Sequence, residues 1–315
     1  MNSFATTEEH PTKDHVDIAE ELRRGVSSRT IIRSNEPLAR RTTLRVGGPA
    51  DLYTEPASTE ELGAIVRFCS EQRLRVLLLG RGSNLLVKDG GFRGVVICLA
   101  QPQFSLIEVA GEHLSCGAGA RLKAVAVEAK RRGLAGFEFL EGIPGSVGGA
   151  LRMNAGAMGG EMFQVVESIR LMEQDGRVEE RSRRELEVRY RSCPMLKTCI
   201  ALGAVLRGVA SDPETVAQRM DQFSRKRWAS QPAAPSAGCI FKNPTTIPAG
   251  KLIDELGLKG TRVGGAFVSA EHGNFIVNDG KATAQNVLEL IELIRARART
   301  QRGIDLETEV EIVGD

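Results

Sequence analysis

The amino-acid sequence predicts an α+β protein built from more than one domain. Stretches with the helical spacing of apolar residues alternate with short apolar runs typical of strands, and no segment repeats. At 315 residues the chain is long enough for two or three hydrophobic cores. Its polar first stretch indicates an extension over residues 1–30. We expect domain boundaries near residues 100 and 210, which gives domains at 31–100, 101–210 and 211–315.

The first half of the chain opens with a short helical pattern from Ile18 to Arg24. Ser58 and Glu61 then form a capping-box pattern before a second helix, and the strand VLLLG follows. A third helix is expected from Leu122 to Arg132, because Gly133 stops its apolar face.

In the second half, Asp175-Gly176 indicates a hairpin between VVESIRLMEQ and RVEERS. The strand CIALGAVLRGV precedes a helix that begins at Asp212-Pro213. A short helix from Leu252 to Leu256, the strand FIVN and a long helix from Thr283 to about Arg299 come next. The chain closes with LETEVEIVG, whose alternation predicts a strand.

Composition and charge exclude several classes of function. The net charge of +2 and the aromatic content of 4% provide neither a basic nor a stacking surface for nucleic acid. No apolar run approaches the roughly 20 residues that span a bilayer, and no secretory signal pattern is evident, so we expect a cytoplasmic protein. The six cysteines form no CxxC pair and the four histidines no HExxH pattern, which predicts free thiols and no metal site.

Two glycine-rich segments are the main candidates for ligand binding. LGRGSNLLV, residues 79–87, lies between two predicted strands, unlike the dinucleotide motif that leads from a strand into a helix. Alone it is open to two interpretations, a tight turn or a backbone nest for phosphate. In IPGSVGGALRMNAGA, residues 143–157, Gly145, Gly148 and Gly149 let backbone approach a flat or anionic ligand. Two such loops suggest one extended cofactor with a diphosphate.

Two polar strands carry candidate catalytic side chains, each with open alternatives. In EVRYRSC the alternation places Arg189 and Arg191 on one side of a strand, which suits either an anion clamp or a solvated face. In LETEVEIVG the acidic residues share one face, and periodicity does not choose a catalytic one among Glu307, Glu309 and Glu311.

Cys239, on what reads as a tight loop in PSAGCIFKNP, has four interpretations. It is inert packing, a metal ligand without partners, a nucleophile with His272 as its base, or a thiol that delivers a proton to a substrate. The residues alone favour packing.

Several motifs in order resemble the UDP-N-acetylenolpyruvoylglucosamine reductase family, the flavoenzymes that make UDP-N-acetylmuramate for peptidoglycan. They are RTTLRVGGPA, LGRGSNLLV, IPGSVGGALRMNAGA, YRSC, QPAAPSAGCIFKNPTTIPAGKLIDELGLKG, HGNFIVN and LETEVEIVG, and they cover about residues 35–313. The resemblance implies a p-cresol methylhydroxylase-type FAD-binding fold over 31–100 and 101–210, and a UDP-sugar domain over 211–315. It also implies that NADPH reduces the flavin, whose N5 passes hydride to the enolpyruvyl double bond of UDP-N-acetylglucosamine enolpyruvate.

The resemblance also assigns residues by position. Arg191 and Glu309 match the catalytic arginine and glutamate that stabilise the intermediate, and Cys239 matches the serine that protonates the carbon next to the substrate carboxylate. Tyr190 and Asn243 match substrate contacts. The two glycine loops match FAD-binding segments, with these expected contacts: Gly80, Arg81, Gly82, Ser83, Asn84, Leu85, Pro144, Gly145, Ser146, Gly148, Gly149, Asn154, Ala155 and Gly156.

The chain departs from the family pattern in three ways. Cys239 replaces serine, Cys193 stands where another serine is common, and the chain has no room for the tyrosine-bearing lid of one subgroup. Reduced flavin and Glu309 would both place negative charge near Cys239, and no basic residue except Lys242 stands next to it in the sequence, so we expect a protonated thiol in the reduced enzyme. The alternatives are another FAD-dependent oxidase or dehydrogenase of the same fold, a Cys239/His272 hydrolase or transferase, and a non-catalytic nucleotide-binding module.

Overall fold

A computed structural model describes residues 15–315, so the predicted extension before residue 15 lies outside the described residues. Within these residues the α-helices are α1 His15–Arg24, α2 Thr59–Glu71, α3 Leu122–Arg131, α4 Val147–Met153, α5 Pro213–Ser230, α6 Ala249–Glu255 and α7 Ala284–Arg302. Short 3-10 helices span Leu38–Arg40, Pro102–Phe104, Glu138–Gly142, Met162–Gln164, Arg183–Glu185 and Pro194–Lys197.

The strands alternate with these helices, as the sequence predicts for an α+β protein. In chain order they are β1 Ile31–Pro37, β2 Pro49–Glu55, β3 Val76–Leu79, β4 Leu85–Val87, β5 Phe92–Cys98, β6 Ile107–Ala110, β7 His113–Gly117, β8 Leu134–Ala135, β9 Gly156–Ala157, β10 Gly160–Glu161, β11 Val166–Met172, β12 Val178–Ser182, β13 Ile200–Arg207, β14 Val209–Ala210, β15 Ser236–Cys239, β16 Arg262–Val263, β17 Ala266–Val268, β18 Phe275–Asn278 and β19 Glu311–Val313.

The chain divides into two compact units, each assembled from separate stretches of sequence. The first contains the described residues up to 36 together with 51–81 and 94–225, and the second contains 37–50, 82–93 and 226–315. The domain boundaries expected from the sequence run one after another along the chain, and they stay a prediction.

The first unit has two sheets, each with its own hydrophobic core. One sheet has the order β1-β2-β5-β3, and helices α1 and α2 bury Leu22, Leu62 and Ile65 against it. The other is antiparallel with the order β12-β11-β13-β7-β6. Helices α3 and α4 cover it, with Leu122 and Leu151 fully buried. This second sheet and its two helices position the glycine-rich segment of residues 143–157.

The second unit packs helices α6 and α7 on the sheet of order β15-β18-β17-β16. Strand β4 pairs in parallel with the terminal strand β19. The Asp89 carboxylate accepts hydrogen bonds from the backbone N–H groups of Ala284 (2.8 Å) and Gln285 (2.9 Å), and thereby caps helix α7. Residues 82–93 are therefore held to the C-terminal part of the chain.

Most predicted elements are present, and the structure corrects one cap and the length of one strand. Ser58 Oγ accepts from Glu61 N at 3.3 Å, as the capping-box pattern predicts, but the Glu61 carboxylate binds Ser27 and Thr30 instead of closing the box. The terminal strand covers only Glu311–Val313, because Phe241 and Thr308 form a single bridge where the prediction extended the strand. No helix among residues 15–315 is long and apolar enough to cross a membrane.

Candidate functional site

The first glycine loop connects strand β3 to strand β4, as the sequence predicts. Gly82 has a φ of +61°, and a Cβ there would lie 2.3 Å from the carbonyl oxygen of Arg41. The backbone N–H of Thr43 donates to the Gly82 carbonyl at 3.1 Å. Only glycine fits such a close approach of two backbones. These contacts support the tight-turn interpretation at Gly82.

The second glycine-rich segment contains a helix, which the sequence analysis treated as loop. Ser146 precedes helix α4, and Gly148 and Gly149 lie in its first turn. A Cβ on Gly80 would lie 2.9 Å from Ser146 Oγ, so the start of the first loop lies directly against the second segment. The structure therefore brings Gly80 and Ser146 together, as one shared cofactor site requires.

A cavity of about 440 Å³ lies where these two segments meet. Gly80, Arg81, Ser146, Gly148 and Gly149, all predicted FAD contacts, line it. Most of its wall is apolar, and the side chains of Arg81, Arg121 and Arg152 add positive charge. A largely apolar wall lined by glycines and three arginine residues fits the adenosine diphosphate portion of FAD.

Part of this wall lies outside the residues that the sequence predicts as FAD contacts. Gly119, Ala120 and Arg121 line the cavity between strand β7 and helix α3. The signal was present, because CGAGAR carries glycines from a strand into a helix. The other predicted FAD contacts do not line the cavity and stay predictions: Gly82, Ser83, Asn84, Leu85, Pro144, Gly145, Asn154, Ala155 and Gly156.

Arg191 lies in a tight turn, so the predicted strand with alternating faces is wrong at this place. Backbone N–H groups of Arg189 and Ser192 donate to each other's carbonyl oxygens at 2.8 and 3.1 Å. Arg191 has a φ of +55°, which lets the chain reverse between them. Its guanidinium carbon stands 5.1 Å from the centre of the Tyr190 ring. The half-exposed tyrosine thus supports the arginine by a cation–π contact.

Cys239 is the last residue of strand β15, which corrects the prediction of a loop. Ser236 pairs with Val277 and Cys239 with Phe275, so one extra residue bulges out of the strand between them. Gly238 takes the positive φ of +76° that this bulge needs. A bulge bends the strand and re-aims the residue that follows. The result is a half-buried thiol at the end of a strand.

Glu309 lies beside the strand that carries Cys239. Its backbone N–H donates to the carbonyl oxygen of Ile240 at 2.8 Å, one residue past the thiol. Its own carbonyl accepts from Asn84 Nδ2 at 3.1 Å. A Cβ on Gly238 would lie 3.7 Å from the Ser83 carbonyl oxygen. Within the second unit, the structure therefore brings Ser83 and Asn84 close to the strand of Cys239 and to Glu309.

The charged neighbours of Cys239 differ from the sequence-based expectation. The Lys242 ammonium pairs with Glu307 at 2.9 Å. A different cation, Arg227 on helix α5, interacts electrostatically with Cys239. Burial lowers the pKa of Arg227, and the nearby Cys239 acts in the opposite direction. Arg227 lies on a separate helix and is not adjacent to Cys239 in the sequence, so the neighbouring residues in the sequence do not predict this interaction.

The remaining candidates have largely structural contacts. The exposed Asn243 accepts from Ala249 N at 3.0 Å and orients the start of helix α6. His272 Nδ1 accepts from Asn274 N at 3.2 Å, and its ring lies edge-on to Phe275. Burial, with a smaller effect of Lys259, lowers the pKa of His272. These contacts give no support to a nucleophile activated by His272.

Cys193 is fully buried, and burial raises the pKa of its thiol. All six cysteines are free. Within residues 15–315, no group of three His, Cys, Asp or Glu side chains is arranged to hold a metal ion.

Comparison with known proteins gives one consistent answer. A family model described as the C-terminal domain of UDP-N-acetylenolpyruvoylglucosamine reductase matches residues 231–313, and an FAD binding domain model matches residues 50–182. The reductase of Clostridioides difficile is 41% identical over 92% of this chain and 96% of its own length. The chain belongs to the UDP-N-acetylenolpyruvoylglucosamine reductase family.

Other members support the same assignment. The Bacillus subtilis reductase is 41% identical over 89% of this chain and 93% of its own. The crystal structure of the Thermus caldophilus reductase matches with a TM-score of 0.78 and 40% identity, covering 91% of this chain and 99% of the other. The predicted family and the predicted FAD-binding fold with a C-terminal α+β domain are thereby confirmed. The protein is an FAD-dependent oxidoreductase of the UDP-N-acetylenolpyruvoylglucosamine reductase family.

Proposed function

We propose that the protein reduces UDP-N-acetylglucosamine enolpyruvate to UDP-N-acetylmuramate for peptidoglycan synthesis, with NADPH as the source of electrons. The observation that carries this proposal is the placement of Glu309 beside the strand of Cys239, because both residues were assigned catalytic roles from position alone. The relatives named above are UDP-N-acetylenolpyruvoylglucosamine reductases, and this chain matches nearly the whole length of each. The partners are then two small molecules, the UDP-sugar and NADPH.

The cavity of about 440 Å³ is the proposed site for the FAD diphosphate and adenosine. The Arg81, Arg121 and Arg152 side chains at its wall offset the two negative charges of the diphosphate. Gly148 and Gly149 have no side chains to fill this part of the wall, so they would let the cofactor approach the backbone of helix α4. When bound, FAD supplies the hydride that NADPH has delivered to it.

Reduction of the enolpyruvyl double bond consumes one hydride and one proton. We assign the proton to Cys239 Sγ, which would pass it to the carbon next to the substrate carboxylate and be left as a thiolate. A free thiol has a pKa near ~8.5, so it gives up a proton more readily than an alcohol does. The bulge at Gly238 supports this role, because it fixes the direction in which the thiol points.

Arg191 and Glu309 would stabilise the intermediate that forms before this proton arrives. The positive guanidinium suits the substrate carboxylate, whose charge spreads as the double bond is reduced. Arg227 would also affect the proton transfer, because its positive charge stabilises a thiolate at Cys239. That charge eases proton release and also lowers the pH range over which the thiol keeps its proton.

The test separates the two half-reactions of a flavoenzyme. Flavin absorbance is followed anaerobically, first during reduction by NADPH and then during reoxidation by the enolpyruvyl substrate. We expect Cys239→Ala to be reduced at the normal rate and reoxidised at least a hundredfold more slowly, with Cys239→Ser as the active control. Unchanged reoxidation in Cys239→Ala would remove the thiol from the mechanism. A protein that takes up no FAD would overturn the proposed function itself.

A further inference from the structure

The turn that carries Arg191 holds a conformation that arginine does not favour. A residue with a side chain in the left-handed region costs about 1–2 kcal/mol relative to ordinary backbone, and Arg191 has a φ of +55°. Such a conformation persists only where neighbouring groups fix it. The neighbours of this turn therefore show what keeps the arginine in place.

Two hydrogen bonds from the end of helix α4 hold the turn on both sides. The backbone N–H of Cys193 donates to the Arg152 carbonyl at 3.0 Å. On the other side Asn154 Nδ2 donates to the Arg189 carbonyl at 3.3 Å. These contacts flank Arg191, so the C-terminal end of helix α4 fixes the backbone that presents the guanidinium.

The whole amide of Asn154 is committed to the protein. Nδ2 also donates to Glu161 Oε2 at 3.0 Å, and Oδ1 accepts from the backbone N–H of Phe163 at 3.2 Å. The residue is 2% exposed and ends helix α4 in the left-handed conformation, with a φ of +40°. Asparagine tolerates that conformation and supplies a donor and an acceptor together, which few residues do.

Glu161 and Arg191 converge on the short hairpin of β9 and β10. Arg191 donates to the Gly156 carbonyl oxygen at 3.3 Å. A Cβ on Gly156 would lie 3.1 Å from both an Arg191 guanidinium nitrogen and Glu161 Cγ. The absence of a side chain at Gly156 therefore leaves room for both. Asn154 is connected to this hairpin by its hydrogen bond to Glu161, and to the turn of Arg191 by its hydrogen bond to the Arg189 carbonyl.

We propose that Asn154 is a positioning residue for Arg191: its amide joins Glu161 to the Arg189 carbonyl and thereby fixes the turn that presents the guanidinium. This inference rests on the proposed role of Arg191. Asn154 is a predicted FAD contact in the segment of residues 143–157. In this proposal its side chain instead affects the reoxidation of the flavin by the enolpyruvyl substrate, while its backbone remains part of the cofactor-binding segment.

Asn154→Asp tests the inference through its pH dependence. At neutral pH the new carboxylate faces Glu161 and the Arg189 carbonyl oxygen, so the donor is lost and like charges repel. We expect reoxidation by the enolpyruvyl substrate to slow about tenfold to hundredfold, with FAD content and reduction by NADPH unchanged. Acidification protonates the carboxyl and restores an O–H donor, so the rate relative to wild type rises as the pH falls.

Two further variants separate positioning from other roles. Asn154→Gly keeps the left-handed backbone without strain and removes the amide, so it is expected to be slow at every pH, with no recovery in acid. Asn154→Asp combined with Glu161→Gln restores the hydrogen bond with reversed direction, and we expect at least threefold recovery at neutral pH.

The outcomes are distinguishable from a failure of the proposed function. If Arg191→Lys reoxidises as fast as wild type, the role of Arg191 is wrong. If Arg191→Lys is slow and both Asn154 variants are fast, Asn154 does not position it. Loss of FAD from Asn154→Gly and Asn154→Asp would also overturn the inference, in favour of a direct cofactor contact.

Discussion

Replacing Arg191 by glycine and by alanine gives a direct measure of the strain in its turn. Both changes remove the guanidinium and its contacts with Gly156 and Tyr190, so those losses cancel in the comparison. Alanine keeps a Cβ at a φ of +55°, and glycine does not. The left-handed conformation costs a residue with a Cβ about 1–2 kcal/mol, so Arg191→Gly should exceed Arg191→Ala in free energy of unfolding by about 1 kcal/mol.

Urea unfolding of the two variants, followed by fluorescence and by circular dichroism, measures this difference. Arg189, in the same turn but without a positive φ, provides the control. At Arg189 we expect the opposite order, because glycine has more conformational freedom than alanine to lose on folding. Arg189→Ala should be more stable than Arg189→Gly by about 0.4–1 kcal/mol. If Arg191→Ala equals or exceeds Arg191→Gly in stability, the turn is not strained and the argument for its support by Asn154 loses its basis.

Three other perturbations follow from the structure. Gly149→Ala places a methyl 3.6 Å from Ser146 Oγ at the cavity wall, so FAD affinity should fall about tenfold by flavin titration while Gly25→Ala, outside the wall, retains it. Arg227→Gln removes a positive charge near Cys239, so the alkaline decline of reoxidation should move to higher pH, and the same change combined with Cys239→Ser should produce no such shift. Two arginines of helix α3 and its cap hold the pKa of Glu128 at about 2, below the ordinary value of 4.5. Stability from this folded-state shift is present above pH 4.5 and lost as the pH falls towards 2, so Glu128→Gln should cost less than ~1 kcal/mol at pH 7 by urea unfolding and nothing at pH 2.

The helices and most strands could be predicted from the sequence, because local spacing and caps determine them. Helix α7 begins after Thr283, whose hydroxyl accepts from Asn286 N at 3.2 Å, and it ends at Gly303 with a φ of +66°. The terminal strand was predicted too long, since alternation marks which side chains face inward but not where the partner strand ends. Strand β19 pairs with β4 over three residues, which sets the length of the strand that forms.

The sequence by itself determined the family, the FAD-binding fold, and the residues of both glycine loops, because ordered motifs and close backbone approaches leave their mark in residue types. Tertiary structure alone decided which groups meet. Arg227 on helix α5 interacts electrostatically with Cys239, and the backbone N–H of Glu309, near the end of the chain, donates to the carbonyl of Ile240 next to Cys239. The family resemblance predicts Asn154 as an FAD contact, and the structure adds that its amide donates to Glu161 and to the Arg189 carbonyl. Hydrogen bonds and charge interactions act through space, so they join residues that are far apart in the sequence.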